Sequence, residues 1–310
     1  MKKRLVLLLL CLTPLLHALA GAEIEISGAA LYWQPCTSGH AFATTGVVAG
    51  NLTSIDLVSV TPDYDWGVRM GAKYTNTCSN LWIAFDAARL WAVNRGRLEG
   101  GGFNATLIPG ATIPALSVKD TLDIDYYTID VSGGHTWRCG RRLSADLYVL
   151  GRYAFLRRQE MGAALGSGAP VVVQTLRLNG RFKGAGFGLG FKSHYAVACG
   201  FSIRTNLLIG GLYGDQLYAT FTNITQNDAP AGSTRLRDTH FACVPFFDVI
   251  AALEYARCFC DFIVIAGQIG WEANHYFGAI PIPGDTSLTV GIHRERIGFG
   301  GPFAKLALRF

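Results

Sequence analysis

The 310-residue chain is 50% hydrophobic and only 16% charged, against roughly 25% charged residues in soluble domains, and these proportions argue against a cytosolic enzyme. After the first twenty residues no apolar run approaches the roughly 18 to 20 residues of a membrane-spanning helix, which excludes a helical membrane protein. A chain with positive mean hydropathy that is never continuously apolar spreads its hydrophobic residues over alternate positions, as membrane β-barrels do.

The N-terminus has the features of an export signal. Cationic residues 2–4 precede an apolar run and the small-x-small pattern Ala18-Leu19-Ala20. We therefore predict a signal peptide over residues 1–20, or to residue 22, and a mature barrel over residues 23–310. Removing the three signal-peptide cations lowers the formal charge from +5 to about +2, so the basicity gives no reason to expect a nucleic-acid partner.

Period-two alternation predicts transmembrane strands along the rest of the chain. In the clearest one, residues 66–74, apolar side chains with aromatic ends fall on one face, and glycines, Arg69 and Lys73 fall on the other. The apolar face would contact lipid. Residues 239–255 alternate nine times, which exceeds a globular strand of about five or six residues and fits the roughly 9 to 11 residues that cross a membrane. Similar patterns occupy residues 144–153, 187–195 and 201–213.

Some strands are less regular. Residues 81–91 and 263–271 are apolar on both faces. Residues 122–131 change phase at Tyr126-Tyr127, which predicts a β-bulge there. Pro245 removes a backbone donor from the 239–255 strand.

Connections of alternating length predict the topology. Ten strands joined this way form an all-β, antiparallel transmembrane barrel with short periplasmic turns and long extracellular loops. Residues 171–178 and 288–292 would raise the count to twelve if they are extra strands. The short connections are residues 75–80, 138–142, 196–200 and 256–261; the long ones are residues 34–65, 93–121, 158–180, 222–237 and 277–298.

The polar faces of these strands predict a lumen of mixed charge. Mixed signs suit either an interior network of salt bridges or a weakly selective aqueous pore. Eight strands fill a barrel with side chains whereas 16 to 18 leave a channel, so ten strands predict a narrow or closed lumen. The residues predicted to face it are Arg69, Lys73, Arg152, Lys192, Arg204 and Lys305, and Asp86, Asp123, Asp125, Asp146, Asp248, Glu254 and Glu272.

Five cysteines fall in the short connections: Cys78, Cys139, Cys199, Cys258 and Cys260. An exported compartment is oxidising, so they are candidates for disulfides, including bridges to another copy or to other Cys-rich envelope proteins. Bridges within the chain would need turns whose Cα atoms lie within about 7 Å. The alternative is reduced cysteine acting as a small hydrophobe. Because the Cys258-x-Cys260 spacing has no second pair and no nearby histidine, we predict no zinc site.

Catalytic signatures are absent from the sequence. Two histidine–carboxylate neighbours, His240 with Asp238 and His275 with Glu272, are the only candidates for catalysis, and the expected role of such a histidine is a hydrogen bond in the lumen. The alternating glycines from Gly184 to Gly190 have the wrong spacing for a dinucleotide site and predict small lumen-facing positions. We therefore predict no enzyme, cofactor or metal.

The last strand ends on an aromatic residue. Leu306, Leu308 and Phe310 share one face, and this pattern resembles the C-terminal signal that the barrel insertion machinery of the bacterial outer membrane recognises. Three further segments, Tyr32-Trp33-Gln34-Pro35, the 65–71 strand and Gly186-Phe187-Gly188-Leu189-Gly190, resemble the MOMP-like family, the major outer membrane proteins of Legionella and of chlamydia-related bacteria. The resemblance implies an abundant surface barrel with porin activity, a cysteine-cross-linked envelope in the chlamydial relatives, and adhesion through the loops.

Two functions follow as hypotheses. The first is a porin-like diffusion channel for small solutes in the bacterial outer membrane, with selectivity set by lumen charges such as Arg69, Lys73 and Asp125. The second is a structural, disulfide-cross-linked envelope protein or surface adhesin with a closed lumen. Arginines and lysines near the outer rim are expected to contact the phosphates of outer-membrane lipopolysaccharide, with a host glycosaminoglycan as the alternative. They are Arg157, Arg158, Arg177, Arg181, Lys183, Arg235, Arg237, Arg294 and Arg296.

Overall fold

The computed structural model describes residues 22–37, 41–45, 56–108, 111–167, 171–260, 263–283 and 292–310. The predicted signal peptide lies outside these residues. No helix in the described ranges has the length and apolar character needed to span a bilayer. The strands are β1 (Ala22–Thr37), β2 (Ala41–Thr45), β3 (Asp56–Ser59), β4 (Asp65–Asn76), β5 (Leu81–Ile108), β6 (Ala111–Cys139), β7 (Leu143–Gly166), β8 (Val172–Ala198), β9 (Phe201–Gln226), β10 (Ala229–Cys260), β11 (Ile263–Pro283) and β12 (Ile292–Arg309).

Ten of these strands form a closed antiparallel barrel. Starting from β1, the ring continues through β4 to β12 in chain order, and β12 closes it by pairing with β1. The short strands β2 and β3 pair with each other beside the distal end of β5. The predicted ten-strand barrel is confirmed. Residues 172–178 belong to β8 and residue 292 opens β12, while residues 288–291 lie outside the described residues.

The two ends of the barrel differ. At one end, the described turns cover residues 77–80, 140–142 and 199–200, as the short connections predict. At the other end, the predicted long connections are largely hairpins in which the strands continue, and β9 passes to β10 through Asn227 and Asp228 alone. Both residues have positive φ, 51° and 64°, as a two-residue hairpin turn requires. Short turns face the periplasm in bacterial barrels, so the hairpin extensions face outward from the cell.

The outer surface carries an apolar band between two aromatic girdles. On β4 the band has the predicted alternation, since Trp66 and Met70 are 65% and 70% exposed while Arg69 faces the interior. Interfacial aromatic rings mark the two edges of a bilayer. The upper girdle, on the hairpin side, comprises Tyr32, Trp66, Trp91, Tyr127, Tyr153, Phe155, Tyr213, Phe241 and Trp271; the lower girdle comprises Tyr74, Trp137, Tyr195, Phe201 and Tyr255.

The bulge predicted at Tyr126-Tyr127 is wrong. Residues 117–139 of β6 pair with β7 without a register shift, and residues 117–135 do the same with β5. Leu122, Ile124 and Tyr126 are all buried inside the barrel. The apparent change of phase arises because the apolar side chains of β6 move from the outer to the inner face, while the backbone stays regular. Pro245 of β10 likewise causes no register shift; it pairs with Gly211 of β9.

Candidate functional site in the barrel interior

The lower half of the barrel encloses a polar cavity of about 310 Å³. Its wall reaches the periplasmic end at Ser144 and His194 and ends upward at Tyr126. Ten of the thirteen residues predicted to face the lumen line this cavity. They are Arg69, Lys73, Asp86, Asp146, Arg152, Lys192, Arg204, Asp248, Glu272 and Lys305.

The prediction that Asp125 faces the lumen is wrong. Asp125 lies on the outer surface, where its carboxylate is 3.9 Å from the guanidinium groups of both Arg89 and Arg157. Asp123, two residues away on the same strand, also faces outward. The reason is that the apolar side chains of β6 change from the outer to the inner face at Tyr126-Tyr127. Above the membrane the apolar residues of this strand face inward, so the alternating polar residues face outward.

In the lower half of the barrel, ion pairs cross the interior and join strands of the barrel wall. Arg69 of β4 binds Glu272 of β11 through both guanidinium NH groups, with N–O distances of 2.8 and 2.5 Å. Glu254 of β10 accepts hydrogen bonds from Arg204 and Arg309. Buried charges are stable only when they are paired and hydrogen-bonded, so the mixed charges of the lumen form a network of salt bridges, the first of the two predicted arrangements.

Two lysines in the cavity contact aromatic rings. The ammonium groups of Lys73 and Lys192 lie 4.7 and 4.6 Å from the centroid of the buried Trp82 ring, and Lys192 also lies 4.5 Å from Tyr148. A cation over an aromatic face is stabilised by the ring quadrupole. The two lysines are therefore held against the wall of the cavity.

Arg152 forms the ceiling of the cavity. Its guanidinium donates to both carboxylate oxygens of Asp130 at 2.8 and 2.7 Å, and it lies 2.7 Å from Asp248. It also donates to the hydroxyl of Tyr276 at 3.2 Å and lies over the ring of Phe246 at 4.6 Å. The Arg152 side chain is 5% exposed. This network joins β6, β7, β10 and β11 across the lumen.

Directly above Arg152, five large rings fill the barrel, and we call Trp33, Tyr126, Phe246, Tyr276 and Phe299 the aromatic plug. All five are at most 2% exposed. Tyr126 lies on β6 and Tyr276 on β11, which are five strands apart in the ring and therefore on opposite walls of the barrel. Their hydroxyl oxygens are nevertheless 3.1 Å apart. The rings of Tyr126 and Phe299 are 4.3 Å apart, and Trp33 and Phe246 extend the contacts to either side. The rings thus span the full width of the lumen.

Aliphatic side chains and the ring of Phe182 continue the filling around the plug. Packed interiors have few voids larger than a water molecule, and these residues are all buried in the barrel. They include Leu31, Leu90, Leu122, Ile124, Leu156, Leu176, Phe182, Leu212, Ile280 and Ile297.

Glycines make room for the large rings. The glycines from Gly184 to Gly190 face the interior, as predicted. A Cβ atom on Gly190 would lie within 2.0 Å of the Tyr148 ring, and one on Gly210 within 2.5 Å of Phe246. These positions therefore serve packing inside the barrel.

A second polar cluster lies inside the hairpin extension, above the upper girdle. Arg158, predicted to contact lipopolysaccharide, faces inward and pairs with Glu160 at 3.1 Å and with Glu295 across the barrel at 2.7 Å. Asp120 is 2% exposed beside them. Burial and the nearby negative charge of Glu160 raise the pKa of Asp120 to about 8.

This shift of the Asp120 pKa predicts that the stability of the hairpin extension depends on pH. A carboxyl group whose pKa is higher in the folded state stabilises the fold when protonated, so its contribution is fully present below the ordinary pKa of about 4 and is lost as pH rises through about 8. We expect the free energy of unfolding to fall between about pH 4 and pH 8 and to level off above pH 8, and Asp120→Asn to remove much of this slope. Denaturant titrations of both proteins at each pH measure it; equal slopes would contradict the assignment.

The turn cysteines lie at the periplasmic rim, as predicted. Cys78, Cys139 and Cys199 are exposed and form no disulfide within the described residues. Cys258 is exposed near the end of β10, and the side chain of Cys260 lies outside the described part. Neighbouring strands are about 4.8 Å apart, so consecutive turns, two strands apart, lie roughly 10 Å from one another, beyond disulfide reach.

The histidine pairs differ from each other. His240 Nδ1 lies 3.5 Å from Asp238, whereas His275 faces outward and Glu272 inward, so that second pair is not formed. Among the described residues no group of three or more His, Cys, Asp or Glu side chains is arranged to hold a metal ion.

The C-terminal strand closes the barrel. Leu306 and Leu308 face outward, and the backbone of Phe310 exchanges two hydrogen bonds with Ile24, at 2.9 and 3.2 Å. The proposed insertion signal is thus the lipid-facing edge of the last strand at the closing seam.

Comparisons with known proteins identify the family. The chain is similar to the outer membrane protease OmpT from Escherichia coli (7% identity, 94% of this chain and 97% of that chain, TM-score 0.49) and to a major outer membrane protein from Thermus thermophilus (11% identity, 93% and 99%, TM-score 0.34). No curated protein matches the sequence. Residues 21–310 match the family model described as the Legionella pneumophila major outer membrane protein precursor. The chain therefore belongs to this family of bacterial outer-membrane proteins.

Proposed function

We propose that this protein is a closed structural barrel of the outer membrane that carries a strand extension on the cell surface. The observation that carries the proposal is the aromatic plug, whose Tyr126–Tyr276 contact crosses the barrel diameter. A diffusion channel needs a continuous water-filled path, and the plug with its overlying aliphatic layers fills that path with side chains.

The porin-like channel stays a prediction, and the plug weighs against it. The filling comes from the barrel strands themselves: Tyr126, Tyr276 and Phe299 belong to β6, β11 and β12, each of which continues across the membrane. Opening the lumen would therefore require the barrel wall to repack. Adhesion through the extension likewise stays a prediction.

Solute flux tests the closed state. Vesicles containing the refolded protein should swell in isosmotic solutions of small sugars no faster than protein-free vesicles. A general porin reconstituted in parallel provides the positive control. Swelling that rises with the amount of folded protein would overturn the proposal.

A second, compatible role is covalent linkage of the envelope through the periplasmic rim. The exposed thiols of Cys78, Cys139 and Cys199 support this role, because their spacing disfavours bridges between consecutive turns and leaves them available to other chains. The periplasm favours disulfide formation.

Gel mobility tests the cross-linking. Non-reducing gels of cell envelopes should show multimers that reductant dissolves, and their yield should fall in the C78S/C139S/C199S variant. Cys243→Ser is the matched control, since Cys243 faces lipid on β10 and should leave the multimers unchanged. Monomer alone under both conditions, or equal multimers in both variants, would remove this role.

A further inference from the structure

A group of cations lies on the outer surface at the upper girdle, and we call Arg89, Arg157, Arg181 and Lys183 the outer basic patch. They lie on β5, β7 and β8, with β6 between, and face away from the lumen. The side chains of Arg89, Arg157 and Arg181 are 50%, 34% and 36% exposed, whereas the nearest carboxylate, Asp125, is only 16% exposed. The cations therefore form the outer layer of this surface.

The patch is incompletely neutralised. Asp125 lies 3.9 Å from both Arg89 and Arg157, and Asp215 accepts from Arg181 at 3.3 Å, so two carboxylates face four cations. Arg157 and Arg181 are directly opposite each other on β7 and β8. Like charges at opposed positions of neighbouring strands destabilise a sheet, and an anion between them would relieve the repulsion.

Arg152, inside the barrel, gives a contrast. Arg152 is 5% exposed and meets two carboxylates at 2.7 to 2.8 Å. In the outer basic patch, by comparison, the Nε atoms of Arg157 and Arg181 are shielded from solvent and have no hydrogen-bond partner among the described residues. Arg152 is neutralised by two carboxylates of its own chain, whereas Arg157 and Arg181 each have one carboxylate within 4 Å.

Aromatic rings lie beside Arg89 and Lys183 and below Arg157 and Arg181. Phe155 is paired with Lys183, and Tyr127 is paired with Arg89. The rings of Tyr127, Tyr153 and Phe155 contact one another at 5.4 to 5.7 Å. An apolar platform under a row of cations matches a molecule that has acyl chains below and anionic groups above.

We propose that the outer basic patch binds the phosphate groups of a phosphorylated glycolipid in the outer leaflet, with the acyl chains against Tyr127 and Phe155. Guanidinium groups bind phosphate through paired, charge-assisted hydrogen bonds, and Arg157 and Arg181 supply two such groups at one level. This inference does not depend on whether the lumen is closed.

Lipid binding to the folded, full-length barrel in detergent tests the site. The probes are bis-phosphorylated lipid A and the same lipid after enzymatic removal of its phosphates, each titrated and detected by native mass spectrometry. For R157Q/R181Q we expect roughly tenfold weaker binding of the phosphorylated lipid, while the dephosphorylated lipid should bind wild type and variant equally weakly. Arg97→Gln is the matched control, because Arg97 is an exposed arginine of β5 eight residues beyond Arg89 and is paired with Glu99.

The design separates the alternatives. Unchanged binding by R157Q/R181Q, an equal loss in Arg97→Gln, or tight binding of the dephosphorylated lipid would each overturn the proposal. Competition by millimolar inorganic phosphate would identify a site for the free anion and would also overturn it. Heat-dependent gel mobility checks that each variant is folded; if R157Q/R181Q does not assemble, R89Q/K183Q tests the same patch with the same expected loss.

Discussion

Arg152→Gln is expected to lower the free energy of unfolding by about 3 to 5 kcal/mol, because it leaves the carboxylates of Asp130 and Asp248 buried without their cation. Arg152 is 5% exposed and holds both groups at 2.7 to 2.8 Å. Urea titration of the barrel in lipid vesicles, followed by tryptophan fluorescence, measures the change.

The same network supplies the control. In D130N/R152Q/D248N no charge remains unpaired, so most of the lost stability should return. Arg97→Gln removes an exposed pair, Arg97–Glu99, and should change stability by less than about 1 kcal/mol. If Arg152→Gln costs no more than Arg97→Gln, the Arg152 network does not hold the lumen together.

Phe299→Ala is expected to cost about 3 to 5 kcal/mol, since it removes a ring from the aromatic plug and leaves a cavity beside Tyr126. Phe299 is 0% exposed, and its ring lies 4.3 Å from that of Tyr126. Phe187→Ala removes the same ring from a lipid-facing position that is 81% exposed. It should cost less because it creates no internal cavity. The same urea titration compares the two; equal losses would show that the plug is not tightly packed.

The barrel itself could be predicted from the sequence because transmembrane strands must alternate. Residues 66–74 already show the lipid face of β4, and the spacing of short connections gives the ten strands. The sequence also predicts the strand that closes the barrel, because Leu306 and Leu308 continue the alternation of lipid-facing residues up to the C-terminus. This strand, β12, pairs with β1.

The interior could be predicted only in part. Arg69, Lys73, Asp146, Lys192 and Arg204 follow from the polar phase of strands that lie within the membrane. The plug did not follow, because the contact between Tyr126 and Tyr276 joins residues 150 positions apart and depends on barrel closure.

The inversion of phase on β6 was visible in the sequence at Tyr126-Tyr127. A bulge and a change of environment produce the same pattern of residues, and only the strand pairing separates them. The incorrect prediction that Asp125 faces the lumen follows directly from interpreting this pattern as a bulge. Where a strand of a membrane barrel continues beyond the bilayer, an apolar inner face is the signal that the lumen is filled.

The central claim, a lumen closed by side chains of the barrel wall, is tested most directly by single-channel recording of the refolded protein in a planar bilayer. Heat-unfolded protein is the negative control, and a gel-mobility shift on heating shows that the sample is folded. We predict no stable conductance steps from the folded barrel. Reproducible steps that change in Arg69 and Lys73 variants would contradict the closed lumen and establish a pore through the polar cavity.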